Sequence, residues 1–266
     1  MTIYEGKILK AMLNYNPCPN FRKMLKKPNL SEWGLSKECT KILEREPNAF
    51  FLGAVFDRQM KAFKAWEIPY LLKNSLGHLD IKKISKMSQG ELAKHLKSLH
   101  RFHNVMSDCA IAASNLLLEK YKGNASNIWS VPEVSVVLDN LMEFKGIKQK
   151  IGHMFARLLI TYYGVRLIGW KSIDVAVDRH VARVFLRTGL IKVKSGISKY
   201  PIGEIKDAVI QKARELFPKY PGALDEPAFR IGREWCNANR AYCDYKGDPC
   251  PLTKVCSKKR LGYEVV

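Results

Sequence analysis

The stretch EFKGIKQKIGHMF, residues 143–155, places a single glycine between two segments with the apolar spacing of helices. The upstream segment, residues 130–144, has Ser130 as a candidate N-cap and a proline in its first turn. The downstream segment repeats apolar residues at helical spacing: Ile151, Phe155, Leu158 and Tyr162. The pattern predicts two helices joined by a tight turn at Gly146.

A glycine in such a turn lets the backbone approach another molecule closely and tolerates positive φ. Backbone N–H groups at the start of the second helix can then point at a phosphate. Lys145 and Lys148 flank the turn, and Lys150 and His153 fall on one basic face of the second helix. From this segment alone, an ordinary helical hairpin with a glycine cap is the alternative interpretation.

The chain as a whole is strongly basic. Its 266 residues contain 45 Lys and Arg against 25 Asp and Glu, a net charge of +20. Such an excess favours a polyanionic partner, most often nucleic acid, because each phosphate contact releases condensed counterions. The alternative is a basic protein whose charge aids only solubility. No apolar run reaches the roughly 18 residues of a membrane span, and no signal peptide is recognisable. We therefore expect an intracellular protein with no membrane segment.

Helical spacing of apolar residues continues over most of the chain, with little strand alternation. Ser88 and Glu91 have the spacing of a capping box, and Gly123 is placed to end a helix. A hydrophobic content of 47% suffices for one large domain or two small ones. The predicted fold class is all-α.

Four of the seven cysteines lie in one short segment, CNANRAYCDYKGDPCPLTKVC, residues 236–256. Thiols this close in a reducing compartment are typical of one metal site. Both an iron–sulfur cluster and zinc take four cysteines, although zinc sites more often use close C-x₂-C pairs. The predicted ligands are Cys236, Cys243, Cys250 and Cys256. The site would pin a basic loop that contains Arg240, Lys246 and Lys254. The remaining thiols are expected to be free or buried: Cys18, Cys39 and Cys109.

Two segments together resemble a known family. FKGIKQKIG (144–152), followed by DVAVDRHVARVFLRTGL (174–190), is similar to the helix–hairpin–helix DNA glycosylase superfamily, in particular its endonuclease III-like branch. The GREWC stretch before the cysteine segment resembles the start of that branch's C-terminal iron–sulfur loop. The resemblance implies two helical lobes with a DNA-binding cleft between them, a helix–hairpin–helix motif and a cluster loop.

The resemblance also implies a division into domains. A barrel-like helical domain with the hairpin would cover residues 45–165. The second helical domain would join residues 1–44 to residues 166–266 and carry the four cysteines.

The family's catalytic residues correspond to two positions of this chain. Its lysine, four positions after the first hairpin glycine, is Lys150, and its essential aspartate is Asp178 in VDRH. Nearby cations are expected to favour the neutral, nucleophilic form of the Lys150 amine: Lys145, Lys148 and His153. Asp178 directly precedes a helical run, so it is also a candidate N-cap, and Asp174 is the alternative carboxylate.

The resemblance assigns further residues to DNA. Gln59, at the end of FLGAVFDRQ, would reach into the gap left by an extruded nucleotide. Loop 99–105 would insert Phe102 or His103 into the duplex as a wedge. A surface glutamine and a packing aromatic are the alternative interpretations. The other predicted DNA-binding residues are Lys145, Gly146, Lys148, His153 and His180.

Three features depart from the family pattern. Lys148 stands where the family has its second hairpin glycine. The stretch between Lys150 and Asp178 is longer by roughly three helical turns, and YGVRLIGWKS is expected to hold this extension. The spacing between Cys243 and Cys250 exceeds the family's two-residue gap.

The implied function is base-excision repair by a DNA glycosylase that flips a damaged base out of double-stranded DNA. The branch further implies AP lyase activity by β-elimination, a 4Fe–4S cluster with zinc as the alternative, and a monomeric protein. Oxidised pyrimidine is the default substrate. Two alternatives stay open: a monofunctional glycosylase for mismatched, oxidised-purine or uracil bases, and a non-catalytic DNA-binding protein of the same fold.

Overall fold

The computed structural model describes residues 1–15, 30, 33–194, 197–238, 241–245, 247–258 and 260–266. Regular structure in these ranges is almost entirely helical, which confirms the predicted all-α class. No helix in the described ranges is long and apolar enough to cross a membrane. Three residues named above lie outside the described residues: Cys18, Arg240 and Lys246.

The chain divides into two compact units. Unit 1 consists of Met1–Asn20 and Trp170–Val266, and unit 2 of Phe21–Gly169. Helix α1 (Ile3–Tyr15) opens unit 1. The α-helices described in unit 2 are α2 (Lys37–Arg45), α3 (Pro47–Phe56), α4 (Ala62–Leu76), α5 (Ile81–Ile84), α6 (Gln89–Leu96), α7 (His103–Tyr121), α8 (Val134–Met142) and α9 (Gln149–Thr161).

Unit 1 continues with the second part of the chain. Its remaining described helices are α10 (Arg179–Arg187), α11 (Ile202–Leu216) and α12 (Asp225–Glu234). Strand β1 (Lys199–Tyr200) pairs in parallel with β4 (Glu264–Val265), and β2 (Asp244–Tyr245) pairs antiparallel with β3 (Asp248–Pro249). These two-residue strands tie loops together and add no layer to the helical packing.

Helix α3 forms the centre of unit 2. Its sequence PNAFFLGAVF is apolar on every side, so the helix is buried all round, and Pro47 starts it without losing a needed N–H donor. Gly53 permits close packing, because a methyl group there would lie 2.5 Å from the ring of Trp66 on α4. Helix α2 also packs on α3 and α4, so unit 2 begins upstream of the predicted boundary at residue 45.

Two helix boundaries in unit 2 form where the sequence predicted them. Ser88 and Glu91 form both halves of a capping box at the start of α6. Helix α7 ends two residues before Gly123, which has φ +74 and donates its N–H to the carbonyl of Leu117 at 2.8 Å.

The stretch between α9 and α10 is irregular and contains only a short 3₁₀ turn, Trp170–Ser172. Its unit 2 part is tied down by Ile168, whose N–H donates to Pro132 and whose carbonyl accepts from Val134. The additional residues of this stretch therefore form irregular chain with one 3₁₀ turn.

Unit 1 packs around α10, whose inward face is apolar. Val181 and Phe185 of this helix are fully buried with Ile8 of α1, Val209 of α11 and Ile231 of α12. This core holds the helix that Asp178 precedes.

Candidate functional site

The turn between α8 and α9 forms where the sequence predicted it. Gly146 has φ +91, and a methyl group built on it would lie 3.1 Å from Sγ of Cys109, so both conformation and space favour glycine. No side chain among the described residues caps α9 at Lys148. Lys145 and Lys148 are exposed beside the turn. This helix start has no cap bond from the Lys148 side chain and carries positive charge, and such a combination can bind phosphate.

Lys150 lies in the first turn of α9 and faces a carboxylate. Its Nζ is 3.7 Å from Oδ1 of Asp57, and the two side chains are 32% and 7% exposed. The surroundings of Lys150 therefore include a carboxylate, and not only the neighbouring cations expected from the sequence. His153 is only 8% exposed, so this residue does not belong to the exposed basic face that the helical spacing suggested.

The turn after α3 connects several predicted elements of unit 2. Asp57 meets the lysine of α9, and Nη1 of Arg58 lies 3.9 Å from the position of a methyl group on Gly146. Oε1 of Gln59 accepts a hydrogen bond from Nη2 of Arg101 at 2.8 Å. Gln59 is exposed and has φ +52, a left-handed conformation that residues other than glycine adopt at a cost. The turn therefore holds Gln59 in a strained, solvent-facing position.

The loop before α7 packs against this turn. The guanidinium of Arg101 lies 4.4 Å from the ring centroid of Phe102, which is half-buried, as is His103. Burial lowers the pKa of His100, while the backbone carbonyls of Arg58 and Phe56 oppose that shift. The structure thus brings Gln59 and the predicted wedge loop together through Arg101. Sequence reasoning missed this arginine, since an exposed loop arginine in a basic chain carries no distinguishing local signal.

Asp178, in unit 1, caps helix α10. Its Oδ1 accepts hydrogen bonds from the backbone N–H groups of His180 at 2.8 Å and Val181 at 2.9 Å. The predicted N-cap is therefore confirmed. No described residue hydrogen-bonds to the other carboxylate oxygen, and the side chain is half-buried. The cap fixes one oxygen and leaves the second for another partner.

Asp174, the alternative carboxylate, has a structural partner. Both of its oxygens accept hydrogen bonds from Arg214, at 2.8 and 2.7 Å, and its side chain is 8% exposed. Asp174 in turn raises the pKa of Arg214. A carboxylate held in this bidentate pair is poorly placed to serve as a catalytic group.

The start of α10 is held from behind by α12. A methyl group built on Gly232 would lie 2.4 Å from the carbonyl oxygen of His180. The His180 ring packs edge-on against Phe229, with 5.4 Å between centroids, and its buried Nδ1 has no hydrogen-bond partner in the described structure. The glycine of GREWC therefore permits the close contact that fixes the backbone just after Asp178.

The four clustered cysteines line one small cavity, of ≈ 20 Å³, together with Arg187. Between Cys243 and Cys250, strands β2 and β3 pair antiparallel, and the N–H of Cys250 donates to the Cys243 carbonyl at 2.7 Å. Cys243 and Cys250 are therefore hydrogen-bonded to each other at the base of this strand pair, despite their longer spacing in the sequence. Among the described residues, no three His, Cys, Asp or Glu side chains lie close enough together to hold a single metal ion.

A buried guanidinium lies beside these thiols. Arg187 is 2% exposed, donates to the backbone carbonyls of Tyr263, Asn237 and Ala238, and places Nη1 3.7 Å from Sγ of Cys236. Burial raises the pKa of the Cys236 thiol, and Arg187 opposes that shift. Burial likewise raises the pKa of Cys250 to about 12. A positive charge fixed here favours an anionic group in the cavity.

The remaining described thiols, Cys39 and Cys109, are buried in unit 2. Cys39 is buried, and its Sγ lies 3.6 Å from the carbonyl of Trp66. Burial raises its pKa to about 12. Cys109 is buried beneath the hairpin turn. Both fit the prediction of free, buried thiols.

Comparison with solved structures identifies the fold. Endonuclease III in a trapped covalent intermediate with DNA matches with a TM-score of 0.61 and 17% identity, over 94% of this chain and 92% of that chain. A non-covalent endonuclease III–DNA complex gives 0.61 and 18%, with the same coverage. A thermostable thymine-DNA glycosylase gives 0.56 and 13%, over 96% of each chain.

The chain therefore has a fold similar to that of endonuclease III and of a thymine-DNA glycosylase, the kind of fold that the sequence resemblance implied. Comparison of the sequence with protein-family models gives no match, and comparison with curated proteins gives none. At these identities the structural likeness establishes the fold alone.

Proposed function

We propose that the protein is a DNA glycosylase of base-excision repair that also cleaves the strand at abasic sites. The observation that carries the proposal is the position of Lys150, in the first turn of the helix that follows the hairpin glycine. A phosphate bound at that turn would bring the sugar of a flipped nucleotide towards the lysine amine. Solved structures with this fold include endonuclease III covalently trapped on DNA.

In the proposed reaction, the amine attacks C1′ of the sugar and displaces the base. The covalent Schiff base then permits β-elimination, which nicks the strand. Loss of the base builds positive charge on the sugar, and a fixed carboxylate such as Asp178 stabilises that charge. The N-cap bonds to His180 and Val181 support this role, because they hold the carboxylate in one orientation.

Electrostatics support double-stranded DNA as the partner. The chain carries a net charge of +20, and the exposed lysines Lys145 and Lys148 lie at an uncapped helix start. Gln59 and Phe102 lie on two adjacent loops joined by Arg101, an arrangement suited to contacting an opened base pair. Oxidised pyrimidine stays the default substrate, and we propose that the protein acts as a monomer in the cell interior.

We propose that the cysteine cavity holds an iron–sulfur cluster, with zinc as the alternative. One zinc ion requires four sulfurs at about 2.3 Å from a single point, whereas each cysteine of a 4Fe–4S cluster binds a different iron. Here Cys236, Cys243, Cys250 and Cys256 line one cavity, as four ligands of one cluster would. Arg187 would offset the negative charge of the thiolates. We propose that such a cluster is structural and supports the loop that holds it.

The test is a panel of duplexes, each with one lesion or mismatch, scored separately for base loss, strand nicking and borohydride trapping. Wild type should release a base and form a covalent adduct, and Lys150→Ala should form none. The control Lys145→Ala removes an exposed lysine of the same hairpin and should still be trapped.

Other outcomes of this panel have distinct meanings. Trapping by Lys150→Ala would identify another amine as the nucleophile. Base loss without trapping or nicking in wild type would mean a monofunctional enzyme. Binding without base loss on every duplex would favour a non-catalytic DNA-binding protein. Iron and sulfide analysis of purified protein tests the cluster, since a colourless protein with one zinc would favour the alternative metal.

A further inference from the structure

Asp57 is a buried carboxylate that helix α3 does not need. The residue is the C-cap of α3, where the helix dipole is negative and an anion is disfavoured. Its side chain is 7% exposed, and no described residue donates a hydrogen bond to its carboxylate. A buried charge without hydrogen bonds destabilises a fold unless an opposite charge compensates it.

The compensating charge of Asp57 is the lysine of the proposed reaction. Lys150 Nζ lies 3.7 Å from Oδ1 of Asp57, and this is the ion pair that the carboxylate forms within the described residues. The other aspartates considered above differ, because Asp178 caps a helix and Asp174 makes a bidentate pair with Arg214. At 3.7 Å the Asp57 contact is electrostatic and is longer than a hydrogen bond.

Nucleophilic attack by Lys150 requires that its amine first lose a proton. A lysine side chain ordinarily carries its proton at neutral pH, and an ammonium is not a nucleophile. Attack on a sugar therefore requires that a proton leave Nζ, and the charged group nearest to that atom is the acceptor. In a partly desolvated site, transfer of this proton removes two opposite charges together and leaves no buried charge uncompensated.

We propose that Asp57 is the proton acceptor and donor for Lys150 in Schiff-base formation at an abasic site, an inference that rests on the proposed lyase function. Asp57 takes one proton from the ammonium as the amine adds to the C1′ aldehyde. A second proton moves from nitrogen to the former aldehyde oxygen, giving a neutral carbinolamine. Protonated Asp57 then gives its proton to that hydroxyl, which leaves as water. The iminium forms and Asp57 is again a carboxylate, so all protons are accounted for.

The first test measures covalent trapping under single-turnover conditions on a duplex with one abasic site. Asp57→Asn keeps the side-chain volume but cannot accept the proton, so trapping should be slower by at least about 10-fold. Affinity for an uncleavable abasic analogue should stay within about 2-fold, because a buried carboxylate offers no positive charge to a phosphate. The control is Glu46→Gln, which removes a lysine-paired carboxylate at the opposite end of α3 and should leave the trapping rate unchanged.

The second test needs no DNA. Acylation of Lys150 by an N-hydroxysuccinimide ester, followed by mass spectrometry, measures how readily the amine loses its proton to solvent. Asp57→Asn should increase acylation of Lys150, because no carboxylate then holds the ammonium. In Asp57→Asn, Lys150 should therefore be acylated faster than in wild type but trapped on an abasic site more slowly. Loss of packing alone would not change the two rates in opposite directions.

Each remaining outcome contradicts the proposal in a different way. Equal or faster trapping by Asp57→Asn would leave Asp57 as a static counter-ion, and unchanged acylation would mean that the pair does not form in solution. If Asp57→Asn and Asp57→Ser both lose the folded state in thermal melts, Asp57 is a structural residue. If wild type itself is never trapped, the lyase function fails and the proton role fails with it, whereas trapping of both proteins at one rate removes only the proton role.

Discussion

Helices α9 and α10, which carry or follow the two proposed catalytic residues, begin in opposite ways. Helix α9 starts at Lys148 with no side-chain cap among the described residues, and lysines surround its first turn. Helix α10 starts at Asp178, whose own carboxylate bonds to two of the first N–H groups. An uncapped helix start can bind an external anion, whereas the capped start already contains one. These opposite starts match the roles proposed for the two helices, phosphate binding at α9 and a fixed carboxylate at α10.

The supports behind the two helix starts also differ. The turn before α9 rests on side chains, with Cys109 and Arg58 near Gly146. The start of α10 rests on backbone, because Gly232 of α12 meets the carbonyl of His180. Side chains can adjust by changing rotamer, and backbone cannot. We therefore expect the hairpin to tolerate small changes that the Asp178 segment does not.

The largest expected effect comes from Asp178→Asn. Asparagine caps helices as well as aspartate does, so the fold and DNA affinity should be retained. Loss of the negative charge should lower the rate of base release by about 10²–10⁴-fold. Single-turnover base release on the most reactive duplex of the panel measures the change, and a thermal melt reports the fold.

A matched control exists in unit 2. Asp80 caps α5 by accepting from Lys82 N at 2.8 Å and Lys83 N at 3.2 Å. Asp80→Asn makes the same chemical exchange at an N-cap and should leave base release unchanged. If Asp178→Asn is as active as this control, Asp178 is only a cap and the contrast between the two helix starts has no catalytic meaning.

Gly232→Ala should give the next largest effect, on stability. The added methyl would meet the His180 backbone at 2.4 Å, and overpacking of this kind costs about 1–3 kcal/mol. Urea unfolding measures the loss. Base release by the folded fraction should also fall, because the backbone next to Asp178 must move.

Gly203→Ala is the corresponding control in unit 1. Gly203 also lies in a helix, α11, and a methyl group there meets nothing within 4 Å. This exchange should stabilise by up to about 1 kcal/mol, because alanine favours helix more than glycine does. Equal responses at the two glycines would show that α12 does not support the start of α10.

The smallest expected effect is that of Lys148→Ala on DNA affinity. A phosphate contact carries no base information, so binding to all duplexes should weaken alike. The slope of log affinity against log salt should fall in magnitude by about one unit. Lys41→Ala, which removes an exposed lysine of α2 in the same unit, should leave the slope unchanged. A base-dependent loss for Lys148→Ala would contradict the role of the α9 start as a phosphate site.

Much of the fold was accessible from short-range patterns. The capping box at Ser88, the helix end at Gly123, the turn at Gly146 and the cap at Asp178 all involve residues within a few positions of one another. Helix starts and ends are determined by such local hydrogen bonds and by glycine's freedom, so the sequence indicates them directly. The extension before α10 was harder to interpret, since its irregular path depends on the contact of Ile168 with residues near α8.

The site was less accessible, because its pairings are between residues distant in sequence. The position of Lys150, four residues after Gly146, singled it out in the sequence. Only packing places Asp57 opposite Lys150, so the lysine faces a carboxylate as well as the expected cations. Packing also buries His153 and joins Gln59 to Arg101. Burial and charge pairing depend on which segments contact each other in the folded chain. Contacts between distant segments leave no short-range pattern in a single sequence.

The sequence by itself determined the helical class, the hairpin, the cap at Asp178 and the concentration of four cysteines, because each rests on composition or on neighbours along the chain. Tertiary structure alone decided what those residues face. In the folded chain Arg214 donates hydrogen bonds to Asp174, and Cys250 donates a backbone hydrogen bond to Cys243. The buried carboxylate of Asp57 lies opposite Lys150. The physical reason is that local backbone bonds form between near neighbours, whereas desolvation and charge compensation are set by whatever the fold packs alongside.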